Sequence, residues 1–322
     1  MRGARVIRLM VIVVSTYWSL TAVAASYRTA NFIIEAPSPA IARRIGDAAE
    51  QYRHDLALEW TGSPLPRWSR PCPITARVEP GLGAGGATSF VFDRGEVFNW
   101  TMTIQGSEER ILDSVLPHEI THTVFASHFR CPLPRWADEG ACTTVEHPVE
   151  RARQHRLLIE FLTTGRGIDF PRMFAMKEYP ADVLPLYSQG YSLARYLIER
   201  GGRRKYVAFV GYGLNTGDWS NALAMHYGVA NPVALQQVWL EWVRSGCPAP
   251  PASLAGPPSR PVTLADDSGR PRGQSPDSYG TTAPLAAGNI PSGTVADRHS
   301  IYALAATGGG PPIGDAKTTR VR

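Results

Sequence analysis

The chain has 322 residues, 43% of them hydrophobic and 19% charged, with a formal net charge of +5. That is enough apolar material for one sizeable domain or two small ones. The basic residues are scattered, as at Arg43-Arg44 and Arg203-Arg204-Lys205, and form no stripe interleaved with aromatics, which argues against a nucleic-acid partner.

At the N-terminus, Arg2, Arg5 and Arg8 precede an apolar run over residues 9–14 that continues through Tyr17, Trp18 and Leu20. The small residues Ala22-Val23-Ala24-Ala25 follow. A basic start, a short apolar core and a small-x-small site are the parts of an export signal, assigned to residues 1–25. The alternative is a retained anchor, which would lie near the lower length limit for spanning a bilayer. No other segment reads as transmembrane. The mature chain is therefore expected to be secreted or periplasmic, with no membrane span after signal removal. Its four cysteines, Cys72, Cys131, Cys142 and Cys247, suit that compartment. Cys131 and Cys142 bracket a short Pro-containing loop and are the favoured disulfide, leaving Cys72 with Cys247; free buried thiols are the alternative. No C-x-x-C spacing suggests a cysteine metal cluster.

Residues 30–36 read as a strand, after which Ser38-Pro39 forms the N-cap and first position of a helix. Ile41, Ile45, Ala48, Tyr52 and Leu56 give that helix one apolar face. Residues 73–78 read as a second strand, and a Gly-rich turn over 81–86 leads into a third at 87–92. Phe98, Trp100, Met102 and Ile104 alternate with Asn99, Thr101 and Thr103, the period of a half-buried strand. Asn99-Trp100-Thr101 matches a glycosylation sequon but sits within that strand. From Ser107 to about Ser245 the pattern is helical, with Asn231-Pro232 marking another helix start. Beyond Cys247, Pro, Gly, Ser, Ala and Thr dominate, and residues 248–322 are expected to be a disordered tail. The fold class is α+β: a sheet-containing part over about 26–106 and a helical part over about 107–247, together one domain.

The chemistry centres on His118-Glu119-Ile120-Thr121-His122, an H-E-x-x-H. Positions i and i+4 share one helix face, so both imidazoles can reach one metal ion, with Glu119 beside them as a general base. Pro117 either kinks a helix begun near Ser107 or marks the start of a new one. A catalytic zinc takes a third protein ligand. His128 stands where the metzincin pattern places its last histidine, but Phe125 replaces the glycine that pattern needs for its turn. The rival is Glu139, in Pro134-Arg135-Trp136-Ala137-Asp138-Glu139-Gly140-Ala141.

That stretch resembles the second signature, W-x-x-E-G-x-A, of gluzincin metallopeptidases, especially the peptidase MA-like group. The resemblance covers roughly residues 26–246 and implies a zincin-like fold, a small N-terminal mixed sheet with a helix followed by helices carrying the site. It implies Zn²⁺ held by His118, His122 and Glu139, with Glu119 as catalytic base. The interval over residues 123–138 is shorter than in thermolysin-like or aminopeptidase relatives, which points to the superfamily rather than to those families. Asp138, one helical step of about 100° from Glu139, cannot point at the same ion. Leu186-Tyr187-Ser188-Gln189-Gly190-Tyr191 is similar to the Y-x-x-G segment of zinc aminopeptidases, which implies that Tyr187 stabilises an oxyanion, with Tyr191 as the alternative. Such aminopeptidases carry Gly-Ala-Met-Glu-Asn near the position of Gly86-Ala87-Thr88-Ser89-Phe90, and the missing glutamate argues against aminopeptidase action. The expected activity is zinc-dependent endopeptidase cleavage of a peptide or protein substrate. The alternatives are a non-catalytic extracellular binding module and a metal-dependent hydrolase of a non-peptide amide.

Overall fold

The computed structural model describes residues 25–176, 180–249 and 295–299; the expected export signal, apart from Ala25, and most of the expected tail lie outside them. Strands β1 (Ala25–Arg28) and β2 (Phe32–Ala36) pair antiparallel. Ser38 then accepts a hydrogen bond from the Ile41 N–H at 3.3 Å, and with Pro39 opens helix α1 (Pro39–Thr61). The helix ends where Gly62 takes the left-handed φ of 85°. Ala42, Ile45, Ala49, Tyr52 and Leu56 bury one face of α1. A parallel pair cannot be joined by a tight turn, so α1 serves as the crossover to β3 (Cys72–Val78), parallel to β2.

Strands β4 (Gly85–Asp93) and β5 (Glu96–Gly106) form a hairpin turned at Arg94 and Gly95, both with the positive φ that a two-residue hairpin turn requires. β5 runs parallel to β3. The hairpin register shifts between Ser89 and Val91, opposite the stretch where Asn99 adopts a φ of 55°. A sixth strand, β6 (Val295–His299), lies antiparallel on the outer edge of β4, giving the order β1-β2-β3-β5-β4-β6. Residues 295–299 of the expected tail are thus described as a strand, and nearly all the rest of that tail lies outside the described residues. The order of β6 comes from an edge whose N–H and C=O groups are already aligned to receive it, which composition does not register.

After β5, α2 (Glu108–Arg110) and a π-helical turn (Ile111–Val115) lead into α3 (Leu116–Phe129). Pro117 has no N–H for the carbonyl four residues back. The Leu116 N–H reaches instead to the Ile111 carbonyl, widening the turn just before the proline. The helical path is thus continuous from Glu108, with a π turn at the joint where α3 begins. Then come α4 (Arg135–Thr143), α5 (Pro148–Thr163), α6 (Phe170–Ala175) and α7 (Leu184–Thr216), which is broken at Gly202. α8 (Trp219–Tyr227) and α9 (Pro232–Arg244) complete the series, α9 capped by Asn231, which accepts from the Ala234 N–H at 2.9 Å.

Helix α4 seats on α7 through two glycines. A Cβ on Gly140 would lie 2.3 Å from the Gly190 carbonyl oxygen, and one on Gly190 would lie 2.7 Å from that of Trp136. Only glycine permits this approach. Around it, Trp136 stacks on Phe174 with centroids 4.3 Å apart, and Trp60 meets Phe125 edge-on at 5.0 Å. One apolar cluster runs through both halves of an α+β fold with a small mixed sheet and a mostly helical remainder. No helix among the described residues is long and apolar enough to cross a membrane.

The four cysteines form no disulfide, which corrects both expected pairings. Cys142 projects from α4 toward α3, its Sγ 3.3 Å from His122 Nδ1. Cys131 instead lines a separate hollow with His128, Phe129 and Tyr212. Cys72 is buried at the start of β3, while Cys247 follows α9.

Candidate metal centre

Helix α3 places His118 and His122 one turn apart, their ring centroids separated by 5.0 Å. Helix α4 faces them. Its Glu139 Oε2 lies 3.5 Å from His118 Nε2 and 3.7 Å from His122 Nε2. Ligand atoms about 2.1 Å from a tetrahedral zinc ion are separated from one another by about 3.4 Å, so this spacing suits a shared ion. On the far side of each ring stands a carboxylate. Glu146 Oε1 is 2.6 Å from His118 Nδ1, and Asp138 Oδ1 is 3.1 Å from His122 Nδ1. A carboxylate on Nδ1 makes that nitrogen the N–H donor and leaves the Nε2 lone pair for a metal. The step of one residue along α4 sends Asp138 and Glu139 to opposite sides of the His122 ring.

Cys142 belongs to the same cluster. A nitrogen of each histidine and the Cys142 sulfur all lie within 4.8 Å of one another, so this buried group could hold a metal ion. Metal ligands must be deprotonated. Burial pushes the Cys142 thiol well above its ordinary range, and the charges of Glu139, Glu119 and Glu146 push the same way. Burial also works against ionisation of Glu139, but the charge of His122 and the hydrogen bond from His118 hold its carboxyl below the ordinary value. The surroundings thus favour the charged form of Glu139 and oppose that of Cys142. Burial pulls His118 down, but the hydrogen bonds with Glu139 and Glu146 and the nearby carboxylate charges raise it to about 10. Asp138, Glu139, Glu146 and Glu119 surround the two imidazoles, all buried, and so acidic a hollow favours a cation.

Glu119 sits between α3 and the sheet. Its Oε2 accepts a hydrogen bond from Thr88 Oγ1 on β4 at 2.6 Å, while its Oε1 is buried with no hydrogen bond. Burial raises the Glu119 carboxyl above the ordinary carboxylate range, and the two histidines and Thr88 only partly oppose this. Gly86, two residues before Thr88 on the same strand face, lies so close that a Cβ there would come within 2.6 Å of Oε1. Sheet and helix therefore fix the Glu119 carboxyl from two sides.

His128 falls in the last turn of α3, which continues unbroken past Phe125, and lines the hollow around Cys131 rather than the metal cluster. Tyr187 and Tyr191 lie buried near the start of α7, on either side of the Gly190 contact with α4, and Tyr191 is within electrostatic reach of Glu146. Sequence reasoning missed Glu146 and Cys142. Cys142 follows Glu139 by three positions on α4, the spacing of one helical face and a signal that could have found it, whereas Glu146 lies beyond the end of that helix. Asp138, in sequence only a rival to Glu139, instead stands on the Nδ1 side of His122. His118, Glu119 and Glu139 have no exposed surface, so the cluster is closed in this state. Compared with known protein families the chain matches none, and no curated protein matches it.

Proposed function

We propose that this chain is an exported zinc metallopeptidase of gluzincin type on a zincin-like fold. The observation that carries the reading is the convergence of His118 Nε2 and His122 Nε2 on one oxygen of Glu139, with a buried, hydrogen-bond-free oxygen of Glu119 alongside. The W-x-x-E-G-x-A signature, similar to that of gluzincins, supports the same three ligands. His118, His122 and Glu139 would hold the ion, with Glu146 and Asp138 orienting the rings. Bound there, zinc would supply Lewis acidity, polarising a substrate carbonyl and lowering the pKa of water toward neutrality.

The remaining chemistry belongs to the chain. Glu119 takes a proton from the attacking water at Oε1 while Thr88 holds Oε2, and later passes that proton to the leaving amine. Its raised pKa suits a group that both accepts and returns a proton near neutrality. A phenol at the start of α7, Tyr187 or Tyr191, donates to the oxyanion as the carbonyl becomes tetrahedral. An extended peptide lies along β4, the strand that contacts Glu119, and the lack of a glutamate in Gly86-Ala87-Thr88-Ser89-Phe90 favours endopeptidase over aminopeptidase action.

One observation favours a second reading. The cluster is fully buried and Cys142 offers a fourth donor, and closed four-ligand sets of His, Cys and carboxylate are structural rather than catalytic. Ligand substitution separates the two. For the catalytic site, Glu139→Gln loses zinc, while Cys142→Ser keeps zinc and peptide turnover. If instead Cys142→Ser releases the metal and the wild-type protein cleaves no peptide in a broad fluorogenic library, the structural reading replaces the catalytic one.

A further inference from the structure

β4 is the strand that touches Glu119, through Thr88 and Gly86, and without β6 it would be the open edge of the sheet. That edge is already taken by a segment of the same chain. β6 pairs Val295 with Val91, Ala296 with Phe90, Asp297 with Ser89, Arg298 with Thr88 and His299 with Ala87. Its run is antiparallel, so the backbone travels along β4 toward Gly86, the residue packed against Glu119 Oε1. A strand can pair with only one neighbour on each side, and neighbours sit about 4.8 Å apart. Any other extended chain that reaches Glu119 along β4 has to take the hydrogen bonds that β6 now uses.

We propose that Val295–His299 is an autoinhibitory strand: it occupies the outer edge of β4, where the hydrolase reading places the extended peptide, and a substrate must displace it. The chemistry recognised is first of all backbone, since strand addition draws its affinity from main-chain hydrogen bonds and its selectivity from alternate side chains. The segment suits the role by sequence. It lies far beyond Cys247 along a stretch rich in Pro, Gly and Ser, and the tail's densest run of bulky residues, Ile301-Tyr302-Ala303-Leu304, follows directly. A tethered segment experiences an effective concentration on the order of 1 mM, so one that binds in trans at about 0.1 mM would suppress turnover about ten-fold. Docking stands on the strand pairing alone; inhibition rests on the hydrolase reading.

The test uses the full chain and a variant carrying Ala296→Pro with Asp297→Pro. Successive N–H groups point to opposite sides of a strand, so the pair removes at least one donor directed at β4. Ala296→Thr with Asp297→Thr keeps both N–H groups and serves as the control. The wild type and the control should protect the β4 amides of residues 87–91 from hydrogen exchange and should not bind a labelled synthetic peptide of residues 292–304. The proline variant should lose the protection, bind the peptide and, with zinc, cleave a fluorogenic peptide about ten-fold faster. Equal exchange in all three proteins, or equal peptide binding, would overturn the docking. Restored binding with unchanged turnover would overturn the inhibition. Absence of turnover in every zinc-loaded protein, with exchange and binding as expected, would remove the hydrolase reading and the inhibition with it, and leave the docking in place.

Discussion

Glu119 owes its position to two small residues on β4. Thr88 holds one carboxylate oxygen at 2.6 Å, and Gly86 leaves the room that the other occupies. Gly86→Ala should therefore displace Glu119 without touching any metal ligand. We expect zinc content to be retained and peptide turnover to fall by about 100-fold, the scale of a lost general base. Unchanged turnover in a folded Gly86→Ala protein would show that the carboxyl position does not matter. The cysteines yield a second expectation. Under native conditions a thiol reagent should modify the half-buried Cys131 ahead of Cys142 and Cys72, whose thiols are buried and pushed up in pKa. Recovery of a peptide linking Cys131 to Cys142 by mass spectrometry would contradict the structure. At this scale the histidine pair is legible because the i, i+4 period puts both rings on one face, and Glu119 because the H-E-x-x-H pattern sets a glutamate beside the first of them. Glu146 is not, because it follows the end of α4 and meets His118 across 28 positions of sequence.

At the scale of elements, the site depends on how α3 and α4 are seated. Pro117 alone leaves open whether the ligand helix bends or restarts; the π turn at Ile111–Val115 joins the two possibilities, and no local pattern predicts a widened turn. The helix caps at Ser38 and Asn231 are legible, since a side-chain acceptor followed by proline has few other uses. The α4–α7 contact is less so. Gly140 and Gly190 lie inside helices, where glycine is unfavourable on propensity, and only the close approach of two backbones accounts for them. Gly190→Ala should force α4 away from α7, costing about 2 kcal/mol in stability. Because Glu139 adjoins Gly140 on α4, zinc affinity should fall as well. A denaturation midpoint and zinc affinity equal to wild type would show that the helices do not need this approach.

Across the whole molecule, the sheet contributes the base's restraints and the helices contribute the ligands, and a single core joins them. The division into a sheet-bearing first part and a helical second part is legible from hydrophobic period, because strand alternation changes to helical spacing near Ser107. The sheet's sixth strand is not, since Val295–His299 depends on a partner about 200 positions earlier in the chain. The cysteine pairing fails for a related reason: proximity in sequence says nothing about which way Cys142 points from its helix. Four buried carboxylates around two histidines concentrate negative charge in the interior, a cost that a divalent cation would offset. The most direct measurement sets zinc content beside peptide turnover in the wild type and Glu119→Gln, each loaded with the metal. A metallopeptidase built as described binds about one zinc per chain in both proteins, and turnover falls at least about 100-fold in the variant. Turnover that survives Glu119→Gln, or a wild-type protein that takes up no zinc, would contradict it.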